Sequence, residues 1–229
     1  MDDQLAERLA AVDARIAEAA RAAHRDPAEI TRIVVTKFHP ASLVEALYAL
    51  GVRDVGENRQ QELTSKRAEV GPLGGLSWHF IGQAQTNKAR AVRDAASVVH
   101  SVDRARIADA LDAAGQPESG VLDVLVQVNL TDDLGRGGVS PEGVVELAER
   151  VAGLAGLRLR GVMAVAPLDE EPARAFERLA EASAKVRTIV PDSDWISAGM
   201  TADFPEAISM GATHLRIGSA ITGPRPTRG

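Results

Sequence analysis

The sequence of 229 residues contains no cysteine, which excludes disulfide bonds, thiolate nucleophiles and zinc–sulfur sites. It also has no apolar stretch approaching the ~20 residues that a transmembrane helix needs. The acidic N-terminus is not followed by the apolar run of a secretory signal. The five histidines show no ligand-like spacing, so we expect no metal site. These absences predict a cytoplasmic protein that binds neither membranes nor metals.

Basic residues are too few for a nucleic-acid-binding surface. The formal net charge is −6 and the isoelectric point about 5.4, whereas contacts with phosphate groups along a nucleic acid need a basic surface. Lysine is especially scarce, because only four of the 26 basic residues are lysines, at positions 37, 66, 88 and 185. A reaction that needs a primary amine therefore has few places to occur in this chain.

The composition is that of a globular protein, with 45% hydrophobic and 25% charged residues. A chain of this length forms either one large domain or two small ones. The stretches richest in glycine and proline are too short to link separately folded bodies. We therefore expect one domain over residues 1–229.

The hydrophobic pattern predicts alternating strands and helices. Residues 3–24 carry apolar side chains at steps of three and four, as in an amphipathic helix. Eight short β-branched runs follow, beginning at residues 33, 54, 78, 98, 123, 159, 195 and 214, with helical spacing between most of them. This order predicts an α/β fold, a single (β/α)8 TIM barrel with an extra N-terminal helix and no second domain. An open doubly wound sheet is the alternative.

Lys37 lies where the first predicted strand ends, and Pro40 separates it from the next helix. In a barrel of this kind, functional residues collect at the carboxyl ends of the strands. A lysine in apolar surroundings has a lowered pKa, and the neutral amine is the form that condenses with a carbonyl group. Among the four lysines, Lys37 is therefore the best candidate for Schiff-base chemistry.

The ends of the seventh and eighth predicted strands carry groups that suit a phosphate. Ser197 and Gly199 end the seventh strand, and Gly218 and Ser219 end the eighth. The loops after these two strands are the common phosphate site of the fold. Arg216 lies within the apolar eighth strand, and arginine is rarely buried without a partner. We therefore expect Arg216 to point into the barrel towards an acceptor.

Three further polar residues are candidates for the barrel mouth. Asn58 ends the second strand and suits the orientation of a ring hydroxyl or a substrate. His79, on the third strand, is either a core histidine or an acid–base group at the mouth. Arg136 lies in a glycine-rich loop, which is either a flexible turn or part of the mouth.

A strand-end lysine, phosphate-type glycines and an inward arginine together favour a carbonyl cofactor that carries a phosphate group. Pyridoxal 5′-phosphate fits, because its aldehyde condenses with lysine, its phosphate binds backbone N–H groups and its ring nitrogen needs a partner. On the residues alone, a Schiff-base aldolase that acts on a sugar phosphate without a cofactor is the alternative.

Several motifs closely resemble the YggS/PROSC family of pyridoxal phosphate homeostasis proteins. They are VVTKFHP, DVGENRQQE, WHFIGQAQTNK, NLTDDLGRGGV, LRGVMAV, SAGMTADFPEAISMGATHLRIGSAI and the closing GPR, in order along almost the whole chain. That family is similar to the N-terminal barrel of bacterial alanine racemase and of eukaryotic ornithine decarboxylase.

The resemblance implies a role for each candidate residue. Lys37 would form the internal aldimine, Arg216 would hydrogen-bond the pyridine nitrogen, and Asn58 would lie near the ring face or its hydroxyl. The cofactor-binding residues around the phosphate would come from the last two strand ends, namely Ser197, Gly199, Met200, Gly218 and Ser219. Two positions depart from the family pattern: Thr222 replaces a common aromatic residue, and Arg136 replaces a frequent lysine.

The resemblance implies a carrier and regulator of pyridoxal phosphate supply, with apo-enzymes that use this cofactor as partners. Arginine keeps its proton at ordinary pH and would leave the ring nitrogen unprotonated, which makes the ring a poor electron sink. A racemase also needs a second acid–base group opposite Lys37, and His79 or a water would have to supply it. We therefore expect a monomer with little or no turnover. A pyridoxal phosphate-dependent amino-acid racemase of weak or narrow activity is the alternative.

Overall fold

A computed structural model describes residues 3–116, 118, 120–133 and 135–225. The strands are β1 (Thr31–Val35), β2 (Asp54–Glu57), β3 (Ser77–Phe80), β4 (Val98–Val102), β5 (Leu122–Gln127), β6 (Leu157–Met163), β7 (Trp195–Ser197) and β8 (His214–Ile217). The helices are α1 (Asp3–Ala22), α2 (Ala41–Ala49), α3 (Gln60–Val70), α4 (Ala89–Ala95), α5 (Ala105–Ala113), α6 (Val144–Ala152), α7 (Pro172–Ile189), α8 (Phe204–Ser209) and α9 (Ser219–Thr222). Within the described residues, no helix has both the length and the apolarity to cross a membrane.

The eight strands are parallel, pair in chain order and close into a barrel. β1 pairs with β2 on one side and with β8 on the other, which completes the closure. The predicted (β/α)8 architecture is confirmed, and the doubly wound alternative is wrong. Each observed strand begins within two residues of its predicted start, because parallel strands are buried on both faces and form nearly continuous apolar runs.

The N-terminal helix α1 packs its apolar face against the last helices of the barrel. Its buried residues are Leu5, Leu9, Val12, Ile16 and Ala20, which repeat at helical spacing. The helix packs against α8 and α9. Since α9 is only four residues long, α1 covers surface that a full helix after β8 would otherwise bury.

Most of the core is aliphatic, but one part of the barrel interior is polar. The strand residues Val34, Val55, Val99, Val124 and Val162 have no exposed surface and lie in the main hydrophobic cluster. By contrast, the strands also carry buried polar side chains, among them His79, His100, Ser197 and Arg216, which are at most 5% exposed. Buried polar groups need hydrogen-bond partners, so these four residues indicate a built network.

Candidate functional site

Lys37 lies two residues beyond β1, at the carboxyl ends of the strands, and its side chain is exposed. The backbone before it stays attached to the barrel, because the N–H group of Thr36 donates to the carbonyl of Gly56 at 3.0 Å. A Cβ atom added to Gly218, after the neighbouring strand β8, would lie 3.6 Å from the Cβ atom of Val35. Lys37 and Gly218 therefore lie beyond the ends of neighbouring strands, β1 and β8.

The turn after Lys37 is held in a conformation that side chains rarely adopt. Phe38 has φ of +70°, which lies in the left-handed region and costs free energy unless its surroundings hold it. A Glu62 carboxylate oxygen accepts the Phe38 N–H group at 2.8 Å. The guanidinium groups of Arg225 and Arg59 lie 3.9 and 5.1 Å from the centre of the Phe38 ring. These contacts fix the turn that carries Lys37.

A second lysine, Lys66, lies buried behind this turn, where the sequence pattern indicates only a charged helical stretch. Its Nζ donates to the Thr36 carbonyl at 2.7 Å and to Glu57 Oε1 at 2.6 Å. The Thr36 hydroxyl donates to the same Glu57 oxygen at 2.6 Å. Burial raises the pKa of the Glu57 carboxyl, while the hydrogen bonds from Lys66 and Thr36 lower it. Lys66 thus serves to fix β1 to β2 and α3, and its amine is already bound.

Arg216 points into the barrel and is 5% exposed. Its Nη1 donates to Ser197 Oγ and its Nη2 to the Ala164 carbonyl, both at 2.7 Å. Burial lowers the pKa of Arg216 to about 10, so the guanidinium stays charged at neutral pH. Two of its five N–H groups are used in these bonds.

The Ser197 hydroxyl is bound inside the barrel. Its Oγ lies 2.7 Å from Arg216 Nη1 and 2.9 Å from His100 Nδ1, and the residue has no exposed surface. The hydroxyl therefore has two protein partners before any phosphate is considered. The position of Ser197 around the phosphate stays a prediction.

The interpretation of His79 as a mouth residue needs correction. His79 is 2% exposed, its Nδ1 lies 2.9 Å from His100 Nε2, and its Nε2 lies 3.0 Å from Asp54 Oδ1. Both ring nitrogens are therefore engaged within the protein, and Asp54 is the first residue of β2, at the opposite end of the strand from the mouth. The structure agrees instead with the core-histidine interpretation.

Burial also keeps two interior imidazoles neutral, which predicts acid-sensitive stability. It lowers the pKa of His100 well below the usual 6.5 and that of His214 to about 3. On acidification the unfolded chain therefore binds protons first, and the free energy of unfolding falls as the pH decreases below about 6.5. The expected slope is up to about 1.4 kcal/mol per pH unit for each histidine.

Urea unfolding measured at several pH values between about 7 and 5 tests this slope. The variant His214→Gln cannot titrate at this position, so its stability should depend less steeply on pH. An identical slope for the variant and the unchanged protein would contradict the assignment to His214.

Glycine 199 and the residues after it shape the mouth beyond β7. Gly199 has φ of +89°, and a Cβ atom there would lie 2.7 Å from the Cβ of Ala207, so any side chain would be strained and would clash. The N–H group of Met200 donates to Asp203 Oδ1 at 2.6 Å, and the Met200 side chain is 39% exposed. This tight turn brings the Met200 backbone close to α8.

Backbone N–H groups follow β8 at the neighbouring position. Gly218 precedes α9, and Ser219 is exposed at the start of that single helical turn. The first N–H groups of a helix have no acceptor within the helix, which leaves the amides of Ser219 and Ala220 as donors for an anion. Thr222 ends the turn and is 9% exposed, so its side chain packs inward and not over the mouth.

Asn58 is exposed at the end of β2, and its placement depends on a close approach of two loops. A Cβ atom added to Gly82 would lie 1.8 Å from the Asn58 carbonyl oxygen. Only glycine therefore allows the loop after β3 to pack against the loop after β2. The same two loops form a pocket that includes Asn58, Gln83 and Lys88.

Arg136 lies in the loop after β5 and is half-buried. It lines a small surface pocket with Gln127 and Asn129, and the Asn129 side chain donates to the Arg136 carbonyl at 3.4 Å. The loop is therefore organised around Asn129 and belongs to the carboxyl face of the barrel. A role for the Arg136 side chain at the barrel mouth stays a prediction.

Asp103 is a further candidate site residue, which the sequence pattern does not single out. It follows β4, its side chain is 8% exposed, and Arg104 Nη1 donates to its Oδ1 at 2.5 Å. A Cβ atom placed on Gly137 would lie 3.6 Å from Asp103 Oδ2 and 3.3 Å from Gln127 Nε2. Burial raises the pKa of the Asp103 carboxyl, against the lowering effect of Arg104. The carboxyl-end position of Asp103 is the sequence signal that could have found it.

The donor set of this face fits pyridoxal 5′-phosphate. An exposed amine, Lys37, adjoins the free amides after Gly218, and a charged donor, Arg216, lies within the neighbouring strands. An amine for an aldehyde, amides for a phosphate and a donor for a ring nitrogen are the groups that this cofactor needs. The residues present therefore match the cofactor that the sequence predicts.

Comparisons with known proteins find similar sequences over nearly the full length of this chain. The family model described as alanine racemase, N-terminal domain, matches residues 8–226. A relative from Mycobacterium tuberculosis named pyridoxal phosphate homeostasis protein is 40% identical over 245 residues, covering 99% of this chain and 95% of the relative. A relative of the same name from Pseudomonas aeruginosa is 43% identical over 227 residues, covering 96% of each chain.

A solved structure is similar in both sequence and fold. PipY of Synechococcus elongatus, with pyridoxal phosphate bound, is 32% identical and has a TM-score of 0.84. The similarity covers 96% of this chain and 100% of PipY. The barrel, its extra helix and its mouth therefore have counterparts in a protein of the same extent.

Proposed function

Because this chain belongs to the family of pyridoxal phosphate homeostasis proteins, we propose that it binds pyridoxal 5′-phosphate and acts in the supply of that cofactor. The observation that carries the proposal is the adjacency of Lys37 and the free amides after Gly218, on the neighbouring strand ends of β1 and β8. An amine and an anion site on neighbouring strand ends suit one small molecule that bears an aldehyde and a phosphate.

The roles of the individual residues follow from their chemistry. Lys37 would hold the aldehyde through a Schiff base, and the backbone amides of Ser219 and Ala220 would bind the phosphate, with Met200 beside it. Arg216 would donate to the ring nitrogen, and Asn58 would border the ring. When bound, the cofactor supplies an electrophilic aldehyde and an electron-withdrawing ring.

Two features support storage and delivery over rapid turnover. The charged Arg216 keeps its own proton, since its pKa of about 10 is far above neutral pH. It would therefore leave the ring nitrogen of the cofactor unprotonated, and the ring would be a poor electron sink. Neither His79 nor Tyr48 is available at the mouth, because His79 is bound inside the barrel and the Tyr48 hydroxyl donates to the Gly74 carbonyl before β3. The residues that would serve a racemase as the second proton carrier are thus engaged elsewhere.

Titration of the purified protein with pyridoxal 5′-phosphate tests the proposal directly. We expect a new visible absorption band, one equivalent of bound cofactor and slow transfer of that cofactor to an apo-enzyme added later. A protein that stays colourless and shows no spectral change would contradict the proposal and favour a cofactor-free Schiff-base reaction.

One observation favours a second function, a weak amino-acid racemase. The Asp103 carboxyl lies at the carboxyl face, and burial raises its pKa, which is the direction expected of a carboxyl group that acts as a general acid or base. Incubation of the loaded protein with single L-amino acids in D2O, followed by chiral analysis, separates the two functions. Turnover with deuterium at Cα, lost in Asp103→Asn and kept in Asp109→Asn on the exposed face of α5, would establish the racemase.

A further inference from the structure

A continuous chain of hydrogen bonds crosses the barrel interior from β8 to β2. Arg216 Nη1 lies 2.7 Å from Ser197 Oγ, and Ser197 Oγ lies 2.9 Å from His100 Nδ1. His100 Nε2 lies 2.9 Å from His79 Nδ1, and His79 Nε2 lies 3.0 Å from Asp54 Oδ1. The five side chains come from five different strands, so only the closed barrel brings them together.

The two ends of this interior chain give it a direction. The guanidinium of Arg216 can only donate, and the ionised carboxylate of Asp54 can only accept. Asp54 is 28% exposed and lines a surface pocket of about 360 Å³ at the amino ends of β1 and β2. The hydrogen bonds therefore run from a donor at Arg216 to an acceptor at Asp54.

The direction determines the proton positions in between. His79 must donate from Nε2 to Asp54, so a neutral His79 accepts at Nδ1. His100 then donates from Nε2 and accepts at Nδ1, which makes the Ser197 hydroxyl the donor to His100. The lone pairs of Ser197 are left for Arg216. With both rings neutral, every donor in the chain therefore meets one acceptor.

We propose that Asp54, His79 and His100 are positioning residues, which orient the Ser197 hydroxyl so that it accepts from Arg216 and holds the guanidinium for the cofactor's ring nitrogen. The last step rests on the proposed function, because it needs pyridoxal phosphate at the mouth. The expected tautomers of His79 and His100 are properties of the ligand-free protein, so they can be tested without the cofactor.

Nitrogen-15 NMR of the ligand-free protein tests the tautomers. We expect His100 and His79 to show a protonated Nε2 and an unprotonated Nδ1, with assignments made by loss of signals in single variants. A proton on Nδ1 of His100, or two protons on His79, would reverse the direction and overturn the proposal.

Two matched variants at position 100 test the link to Arg216. His100→Gln preserves the direction, since the amide oxygen accepts from Ser197 and the amide nitrogen donates to His79. His100→Leu interrupts the chain with a similar volume. We expect His100→Leu to weaken binding of pyridoxal 5′-phosphate about tenfold, the effect of a misplaced hydrogen bond to a charged group, and His100→Gln to restore most of it.

A ligand analogue shows whether the effect passes through the ring nitrogen. With an analogue of pyridoxal 5′-phosphate in which C–H replaces that nitrogen, the dissociation constant should be the same for the unchanged protein and His100→Leu. Equal weakening of both ligands would mean a general structural effect and would overturn the proposal. If the unchanged protein binds no pyridoxal phosphate, the proposed function fails, whereas the NMR tautomers still decide the direction of the interior chain.

Discussion

Replacement of Lys37 by alanine is expected to lower the affinity for pyridoxal 5′-phosphate by at least about 100-fold, which corresponds to about 2.7 kcal/mol. The reason is that covalent attachment needs an amine at the mouth, and the alanine side chain supplies none. The visible absorption band should disappear from the purified protein, and borohydride should no longer fix a pyridoxyl group to the chain.

Each of the other three lysines lacks a feature that Lys37 has. The Lys66 amine is buried and donates to the Thr36 carbonyl and to Glu57. Lys88 ends a short helical turn after β3, and Lys185 is exposed on α7, outside the barrel. Among the four lysines, Lys37 alone lies two residues beyond a strand end and has an exposed side chain.

The matched controls for Lys37→Ala are Lys88→Ala and Lys185→Ala, which remove the same group elsewhere. Both should keep the absorption band and the borohydride-fixed adduct. Since the Lys37 side chain is exposed, its loss should change the free energy of unfolding by less than about 0.5 kcal/mol. An adduct mapped to Lys66, Lys88 or Lys185 in the unchanged protein would contradict the site assignment.

The barrel could be predicted from sequence because its strands carry a local signal. β4, for example, is buried at all five positions and contains three valines, so its hydrophobic run is visible without any knowledge of its neighbours. Helix α3 has no such signal, because its buried residues are only Leu63 and Lys66. A helix that buries a lysine against Glu57 shows no apolar stripe, and its boundaries cannot be found from hydrophobic periodicity.

The candidate site could be predicted only as far as position along the strand allows. Lys37, Gly218 and Ser219 follow strand ends, and the fold places all strand ends on one face. The partners of inward side chains depend instead on strand register and barrel closure. Ser197 contacts His100, 97 residues away in sequence, and no local pattern indicates that contact. The partners of His79 likewise depend on register and closure. The sequence therefore allows either a core histidine or a mouth residue, whereas the structure shows both ring nitrogens bound inside the barrel.

Replacement of Lys66 by methionine is expected to lower the free energy of unfolding by about 3–5 kcal/mol. The change removes the cation that pairs with Glu57 at 2.6 Å, and Glu57 has no exposed surface. Removal of one partner leaves an uncompensated buried charge, which costs more than the intact pair contributes. The loss should appear in urea unfolding as a lower midpoint with an unchanged slope.

The pH dependence of Lys66→Met identifies Glu57 as the group responsible. Burial already raises the pKa of Glu57, and loss of Lys66 removes the hydrogen bond and the charge that lower it. The folded carboxyl therefore binds a proton at pH values where the unfolded one, with a usual pKa of 4.5, is ionised. Stability of the variant should thus fall as the pH rises from about 4.5 towards neutrality.

The double variant Glu57→Gln, Lys66→Met separates the effect of charge from the effect of packing. The glutamine is neutral and its side-chain oxygen can still accept from the Thr36 hydroxyl, which now donates to Glu57, so we expect the double variant to recover at least about half of the loss. Arg174→Met is the surface control, because Arg174 and Glu171 are 76% and 72% exposed, and such pairs contribute about 0–1 kcal/mol. If the double variant is as unstable as Lys66→Met, the cost lies in packing, and Lys66 does not act by neutralising Glu57.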